Sequence, residues 1–319
     1  MKVKMSRNTK TSSLTEAAMI CGILVVMSMI SFYIFPFIDF LFPVPVIILS
    51  KRRGYKYSAL AAVSASLIIT ILLGLPVGFL YLFMYTPIAV VMSYLIDKDK
   101  KPSAVLLGGA AIMLISLIFV LFIADIVTGV DFAKEITSTI ENSIEMQKNI
   151  MNTMGANEEQ LNLMMNTYNN LAETIVLLLP VMLMTISLLM AYINYVVAQK
   201  LALRFKVEIA ALKDLAFFHL PRNFMIGIAF LMILSYVFSR LQFYNIDIVL
   251  INIVMLGRIA LILQGLALTK FYMIKYRINN FLRVIVFILI IFNSIVANIV
   301  TMLALADLLL DFRKLRYRR

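Results

Sequence analysis

Apolar residues fall into nine runs along the chain, separated by short polar, basic or proline-containing stretches. The runs occupy residues 13–34, 37–50, 57–73, 77–96, 104–124, 175–197, 224–238, 248–268 and 284–310. A helix that crosses a bilayer needs about 20 predominantly apolar residues, so the second and seventh runs are short. The second also carries Pro43 and Pro45, and Gly74-Leu75-Pro76 marks a tight turn between the third and fourth. Nothing alternates with the period of two that a transmembrane β-barrel requires. Over runs of this length only α-helices close their own backbone hydrogen bonds without water. The expected fold class is therefore all-α: a polytopic transmembrane helical bundle of about eight or nine spans, with a helical insertion after the fifth.

That insertion, residues 128–174, has a different pattern. Phe132, Ile136, Ile140 and Ile144 recur every four residues, which predicts an amphipathic helix. Gly155 ends it. Asn157, followed three residues later by Gln160, resembles a capping box that opens a second helix with the apolar stripe Leu161, Met164, Met165 and Tyr168. The chain thus divides into a transmembrane region 1–127, the hairpin insertion 128–174 and a C-terminal transmembrane region 175–319. The stretch 201–221 mixes Ile209, Leu212 and Leu215 with charges and is expected along the membrane surface.

Composition and charge sharpen this picture. Of the 319 residues, 62% are hydrophobic and 14% charged, whereas soluble domains are nearer half apolar and a quarter charged. The net charge of +12 does not point to nucleic acid, because the basic residues gather in every second loop. Lys51, Arg52 and Arg53, then Lys98, Lys100 and Lys101, then Lys200, Arg204 and Lys206, then Lys270, Lys275 and Arg277 mark those loops. By the positive-inside rule they and the N-terminus are cytoplasmic, and the insertion is extracytoplasmic. The expected setting is a bacterial cytoplasmic membrane. One feature conflicts with nine spans. They would put the basic tail that begins at Arg313 and Lys314 outside, so either the last run bends back or the tail breaks the rule.

Catalytic signals are absent. No Gly-rich phosphate loop followed by Lys-Ser/Thr, no Gly-x-Ser-x-Gly elbow and no ligand spacing for a metal occurs. His219 is the sole histidine and Cys21 the sole cysteine. Asp307 and Asp311 are expected to cap a helix end. An enzyme, a cofactor and a metal site are accordingly not expected. Charges inside apolar runs are more informative, because burying them in lipid is costly. Arg258 lies halfway along the eighth run. If the last two runs pair as straight antiparallel helices, its depth matches Asn293 and Ser294, Asn298 lies further out, and Asp307 approaches Arg240. Gln264 sits on the same helix, nearly on the opposite face. Arg258, Gln264, Asn293 and Asn298 are the candidate lining of a site for a small, anionic solute; the alternative is an interhelical hydrogen-bond network. Ala18 and Gly22, like Ala61 and Ala65, are small residues four apart that allow close helix approach. Ala18 and Gly22 are the candidate docking face for a partner.

The residues that flank these runs carry a resemblance. Leu14-Thr15-Glu16-Ala17-Ala18 leads into the first run, and Pro43-Val44-Pro45 precedes Lys51-Arg52-Arg53-Gly54. Asn194-Tyr195-Val196-Val197-Ala198, His219-Leu220-Pro221-Arg222 and Gln264-Gly265-Leu266-Ala267 follow. Ala306-Asp307 and Asp311-Phe312-Arg313-Lys314 close the chain. Together they cover nearly the full length and resemble the YybS-like family of bacterial membrane proteins, whose function is unknown. That family is distantly similar to the substrate-binding S components of energy-coupling-factor transporters. This similarity implies an S-component-like fold for 1–127, with Ala18 and Gly22 placed to dock a transmembrane coupling subunit driven by ATPases. The long insertion and four further runs depart from such a component. The expected function is a small-solute binding or transport component of an energy-coupling-factor-like system. The second expectation is a non-catalytic membrane scaffold or assembly protein.

Overall fold

Backbone that leaves water must bond to itself, and the described residues form helices with no strand among them. The structure is a computed structural model that describes residues 10–129, 132–153, 167–168, 174–221, 223–240 and 246–314. The helices are α1 Lys10–Tyr33, α2 Pro43–Arg53, α3 Tyr55–Leu73, α4 Leu75–Asp97 and α5 Pro102–Thr128. They continue with α6 Phe132–Thr153, α7 Leu179–Arg204, α8 Phe224–Arg240 and α9 Ile246–Lys275. The last two are α10 Asn280–Phe292 and α11 Ser294–Leu310.

The eight or nine spans expected from the apolar runs are not reached by length and composition. Among the described residues six helices are long and apolar enough to cross a membrane: α1, α3, α4, α5, α7 and α9. The pair α10 and α11 makes a seventh if it counts as one span, but it is bent by 99°. The second run gives α2, whose 11 residues fall short of a single straight span, and the seventh gives α8, whose 17 residues stand at the lower limit of one.

The chain packs as two compact units, Met1–Tyr168 with Met182–Leu212, and Asn169–Val181 with Lys213–Arg319. This differs from the division at 127 and 174. Most of α7 belongs to the first unit, because Met190, Ala191, Tyr195, Ala198 and Ala202 are buried in the same core as Ala17, Leu24, Ala61 and Ala65. Small residues set the helix spacing there. A Cβ on Gly109 of α5 would lie 2.9 Å from Met92 Cγ and 3.3 Å from Ala191 Cβ.

Run two returns along α1 in two pieces. Ser31 Oγ near the end of α1 donates to the Pro36 carbonyl at 2.9 Å. The chain then makes a 3-10 turn, Pro36–Leu41, and enters α2 with Pro43 and Pro45 in the first turn, where a missing N–H costs nothing. At the far end of α2, Arg53 Nη2 donates to Glu16 Oε1 at 2.6 Å and to Ser12 Oγ at 3.1 Å, near the start of α1. Gly54 and Gly74 adopt φ of +96° and +93° at the turns that follow α2 and α3, backbone that favours glycine. In α4 a wider turn spans Tyr81–Tyr85, just before Pro87, which has no N–H to offer it.

The insertion stripe holds as far as it is described. On α6, Ile136 and Ile140 are half-buried and Ile144 is buried. The Tyr168 hydroxyl donates to Gln147 Oε1 at 2.7 Å, so the chain comes back beside α6. Gly155, Asn157, Gln160, Leu161, Met164 and Met165 lie outside the described residues. The stretch after Arg204 leaves the helix. It has no regular structure from 207 to 214, Ile209 is buried, and Tyr195 OH donates to the Ala210 carbonyl at 2.6 Å. Polar backbone leaving a helix is satisfied here by a side chain instead of by another helical turn.

The second unit is built on α9. A Cβ on Gly257 would meet Ile228 of α8 at 3.6 Å, and one on Gly265 would lie 2.4 Å from Val300 Cγ1 and 2.9 Å from the Val300 carbonyl of α11. Gly265 therefore lets α11 cross almost in backbone contact. The α10–α11 bend sits at Asn293, whose backbone is extended (φ −110°, ψ 112°) and whose Oδ1 accepts from Ile295 N at 3.0 Å and Val296 N at 3.1 Å. An asparagine that caps a new helix inside an apolar run is what stops run nine from being one straight rod.

Candidate functional site

Arg258 stands in the middle of α9, on a helix whose apolar sequence offers its guanidinium nothing local. Its Nη2 donates to Asn298 Oδ1 of α11 at 3.0 Å, and both residues are exposed. Two of the sequence candidates are thus brought together. Asn293 lies at the bend, less than two turns before Asn298, with its side-chain oxygen engaged in capping. Gln264 faces elsewhere, as its place on the helix implied.

Gln264 belongs to a second polar group that is fully dry. Its Nε2 donates to Asp307 Oδ2 at 2.7 Å, and its Oε1 accepts from Leu220 N at 3.0 Å. Asp307 Oδ2 also accepts from Arg313 Nε at 3.1 Å and Nη2 at 2.9 Å, and both side chains of this ion pair are 0% exposed. Arg313 Nη1 donates to the Ala216 carbonyl at 2.9 Å. Asp307 Oδ1 is buried and has no hydrogen-bond partner among the described residues. His219 Nε2 is 3.9 Å from Asp311 Oδ1, and its Nδ1 lies 2.5 Å from the Leu220 carbonyl.

This corrects two expectations. Asp307 does not approach Arg240, which lies over Tyr236 and donates to its hydroxyl at 2.8 Å. Nor does Asp307 cap a helix end. Asp311 is the residue past the last turn of α11, in the left-handed region at φ 49°. Both follow from the bend, which carries α11 back along the part of α9 that holds Gln264 and not outward to α8's end.

At the edge of this group Lys270 Nζ pairs with Asp214 Oδ1 at 2.9 Å, and Asp214 also accepts from Ala216 N at 2.8 Å. Burial alone would push the Asp214 carboxyl up. The Lys270 hydrogen bond and charge, the Ala216 N–H and the Arg283 charge outweigh it and hold the group below its usual range.

The two pairs of small residues differ. Ala61 and Ala65 are buried inside the first unit. Ala18 and Gly22 are exposed on α1, and a Cβ on Gly22 would meet nothing within 4 Å.

Sequence reasoning missed several polar groups. The Asp307–Arg313 pair bridges the end of α11, six residues apart, beyond the one-turn spacing that a helical pattern shows. Asn252 clasps the chain ahead of α7, donating to the Leu177 carbonyl at 2.7 Å and accepting from Val181 N at 3.0 Å. In the first unit Asn194 donates to the Phe40 carbonyl at 2.8 Å, and Tyr81 OH donates to Asp39. Asn194 and Asn252 were visible as amides in apolar runs, the signal that singled out Arg258. Among the described residues no group of three or more His, Cys, Asp or Glu is arranged to hold a metal ion.

A family model described as "Predicted membrane protein (DUF2232)" matches residues 22–308, a range that includes Arg258, Gln264, Asn293, Asn298 and Asp307. The protein described as "Uncharacterized protein YybS" of Bacillus subtilis (strain 168) is 22% identical over 284 residues, which cover 88% of this chain and 90% of that protein. No solved structure matches.

Proposed function

The chain belongs to the DUF2232 family of predicted membrane proteins, and from that premise we propose that it is a small-solute binding or transport component whose solute is anionic. In this reading it is a multi-pass protein of the bacterial cytoplasmic membrane with its N-terminus inside, and it has no catalytic chemistry of its own. Any energy comes from partners of the energy-coupling-factor kind, a transmembrane coupling subunit with ATPases.

The observation that supports this reading is the state of Arg258. It is a permanent cation halfway along a 30-residue apolar helix, and its one described hydrogen-bond partner, Asn298, is neutral. A guanidinium has five N–H donors in a planar fork, so an uncharged partner on one of them leaves both the charge and the remaining donors for a carboxylate or phosphate. Discontinuous helices next to such a charge are a recurrent way to bind ions inside membranes, and the α10–α11 break is close by at Asn293.

The test is a thermal-shift series on the purified protein in detergent, with small carboxylates and phosphates. At least one is expected to raise the melting temperature of the wild type and not of Arg258→Leu, while Arg258→Lys retains part of the shift. If no anion shifts the wild type, and Arg258→Leu is simply more stable, Arg258 is an interhelical tie and the reading is wrong.

A second reading, a membrane scaffold or assembly protein, draws on the open Ala18–Gly22 face of α1, which another helix could approach closely. Gly22→Leu is expected to abolish co-purification of a membrane partner under either reading, whereas an anion that stabilises the protein is expected under the first alone. The substitution leaves that stabilisation untouched.

A further inference from the structure

We infer that α10 and α11 form a re-entrant hairpin, which enters the membrane and returns to the face it came from, tied at its base by the buried Asp307–Arg313 pair. This does not depend on the solute reading.

The argument follows the hydrogen bonds at the two ends of α9. Helix α9 stops at Lys275, and the turn 276–279 hands the chain to α10, with Asn279 Oδ1 capping Phe281 N at 3.1 Å. The hairpin therefore starts beside the Lys275 end of α9. Its other end is located by contacts. Arg313 donates to the Ala216 carbonyl at 2.9 Å, and Ala216 N donates to Asp214 at 2.8 Å. Asp214 in turn pairs with Lys270 of α9 at 2.9 Å. Asp307, one turn before the end of α11, bonds to Gln264 at 2.7 Å. Each of these partners lies in 213–221 or in the last twelve residues of α9. The opposite end of α9, at Ile246, is on the order of 36 Å from Lys270 at 1.5 Å per residue. A crossing pair would deliver Arg313 to that end, beside Arg240.

The local chemistry explains the return. Asn293 caps α11 in an apolar run and sets the 99° bend. Gly265 admits the α11 backbone to contact with α9. The chain then leaves α11 through Asp311, left-handed at φ 49°, which turns Arg313 back over the helix end onto Asp307. A charge pair without access to water holds only while both partners are present, so the base of the hairpin is closed by charge and not by apolar contact alone. Arg313 and Lys314, where the basic tail begins, then lie on the face of the basic residues Lys213, Lys270 and Arg277. The conflict between the tail and the positive-inside rule disappears.

The experiment maps sidedness in the full-length chain, with Cys21 replaced by serine and single cysteines placed by Lys213→Cys, Tyr276→Cys, Lys314→Cys and Arg240→Cys. A membrane-impermeant maleimide is applied to intact cells and to inverted vesicles. Lys213→Cys, Tyr276→Cys and Lys314→Cys are expected to label from one side and Arg240→Cys from the other. Labelling of Lys314→Cys from the side of Arg240→Cys overturns the inference. A reporter domain fused after Arg319 gives the same reading without a reactive thiol. It is expected on the side of Lys213→Cys, and its appearance on the opposite side equally overturns the hairpin.

Discussion

The two units bury polar atoms in opposite ways. In the first, the dry polar groups are mostly hydroxyls and amides that return their bond to the backbone one turn away. Ser28 donates to the Val25 carbonyl, Ser66 to Ala62, Ser187 to Leu183, and Asn194 to Met190. Its charged contacts lie near helix ends, where Arg52 and Arg53 meet Glu16 and Lys51 meets Asp99. In the second unit formal charges go inside, with Arg313 and Asp307 shut off from solvent. A hydroxyl bonded to its own helix is satisfied wherever that helix packs, so it leaves the choice of neighbour to shape. A dry ion pair has one partner that will do, so it specifies where the chain must return. The first unit is thus arranged by close packing of small side chains, and the second by a tie that bridges the end of a helix.

The largest expected effect tests that tie. Asp307→Ala or Arg313→Leu leaves a lone charge in a dry site and is expected to cost about 3–5 kcal/mol. The double change Asp307→Leu with Arg313→Leu is expected to cost clearly less than either alone. Unfolding followed in detergent measures all three, and equal losses for singles and double would remove the ion pair as the organiser of the second unit.

The middle effect sets one close approach against another. Gly265→Ala drives its Cβ toward the Val300 carbonyl, which is backbone and cannot yield cheaply, and about 1–3 kcal/mol is expected. Gly109→Ala meets Met92, whose flexible side chain can move, and is expected to cost less. A reversed order of the two melting temperatures would mean that the α9–α11 crossing is looser than its geometry implies.

The smallest effect is electrostatic. The Asp214 carboxyl is held below its usual range, so its pairing with Lys270 contributes stability above the ordinary carboxylate value near 3.9 and loses it as pH falls through the depressed folded value. Both side chains are partly exposed, which limits the contribution to about 0.2–1 kcal/mol. Lys270→Ala is expected to lower the melting temperature equally at pH 8 and pH 5, to matter progressively less as pH falls below about 4, and to make no difference once pH is below the depressed folded value. A loss that grows between pH 8 and pH 5 would point to another group.

The legibility of the chain follows the range of each interaction. Runs of apolar residues determined that the protein is a helical membrane bundle, because hydrogen-bond closure in lipid is local to each run. Local too were the turn at Gly74, the stripe Ile136–Ile140–Ile144 on α6, and the presence of an unusual cation at Arg258. The pairing of Arg258 with Asn298, the break at Asn293 and the meeting of Gln264, Asp307 and Arg313 were decided only in three dimensions. Hydropathy counts residues without seeing that one asparagine can end a helix by capping the next. Periodicity sees neighbours one turn apart and misses an arginine that comes back to its aspartate around a helix end.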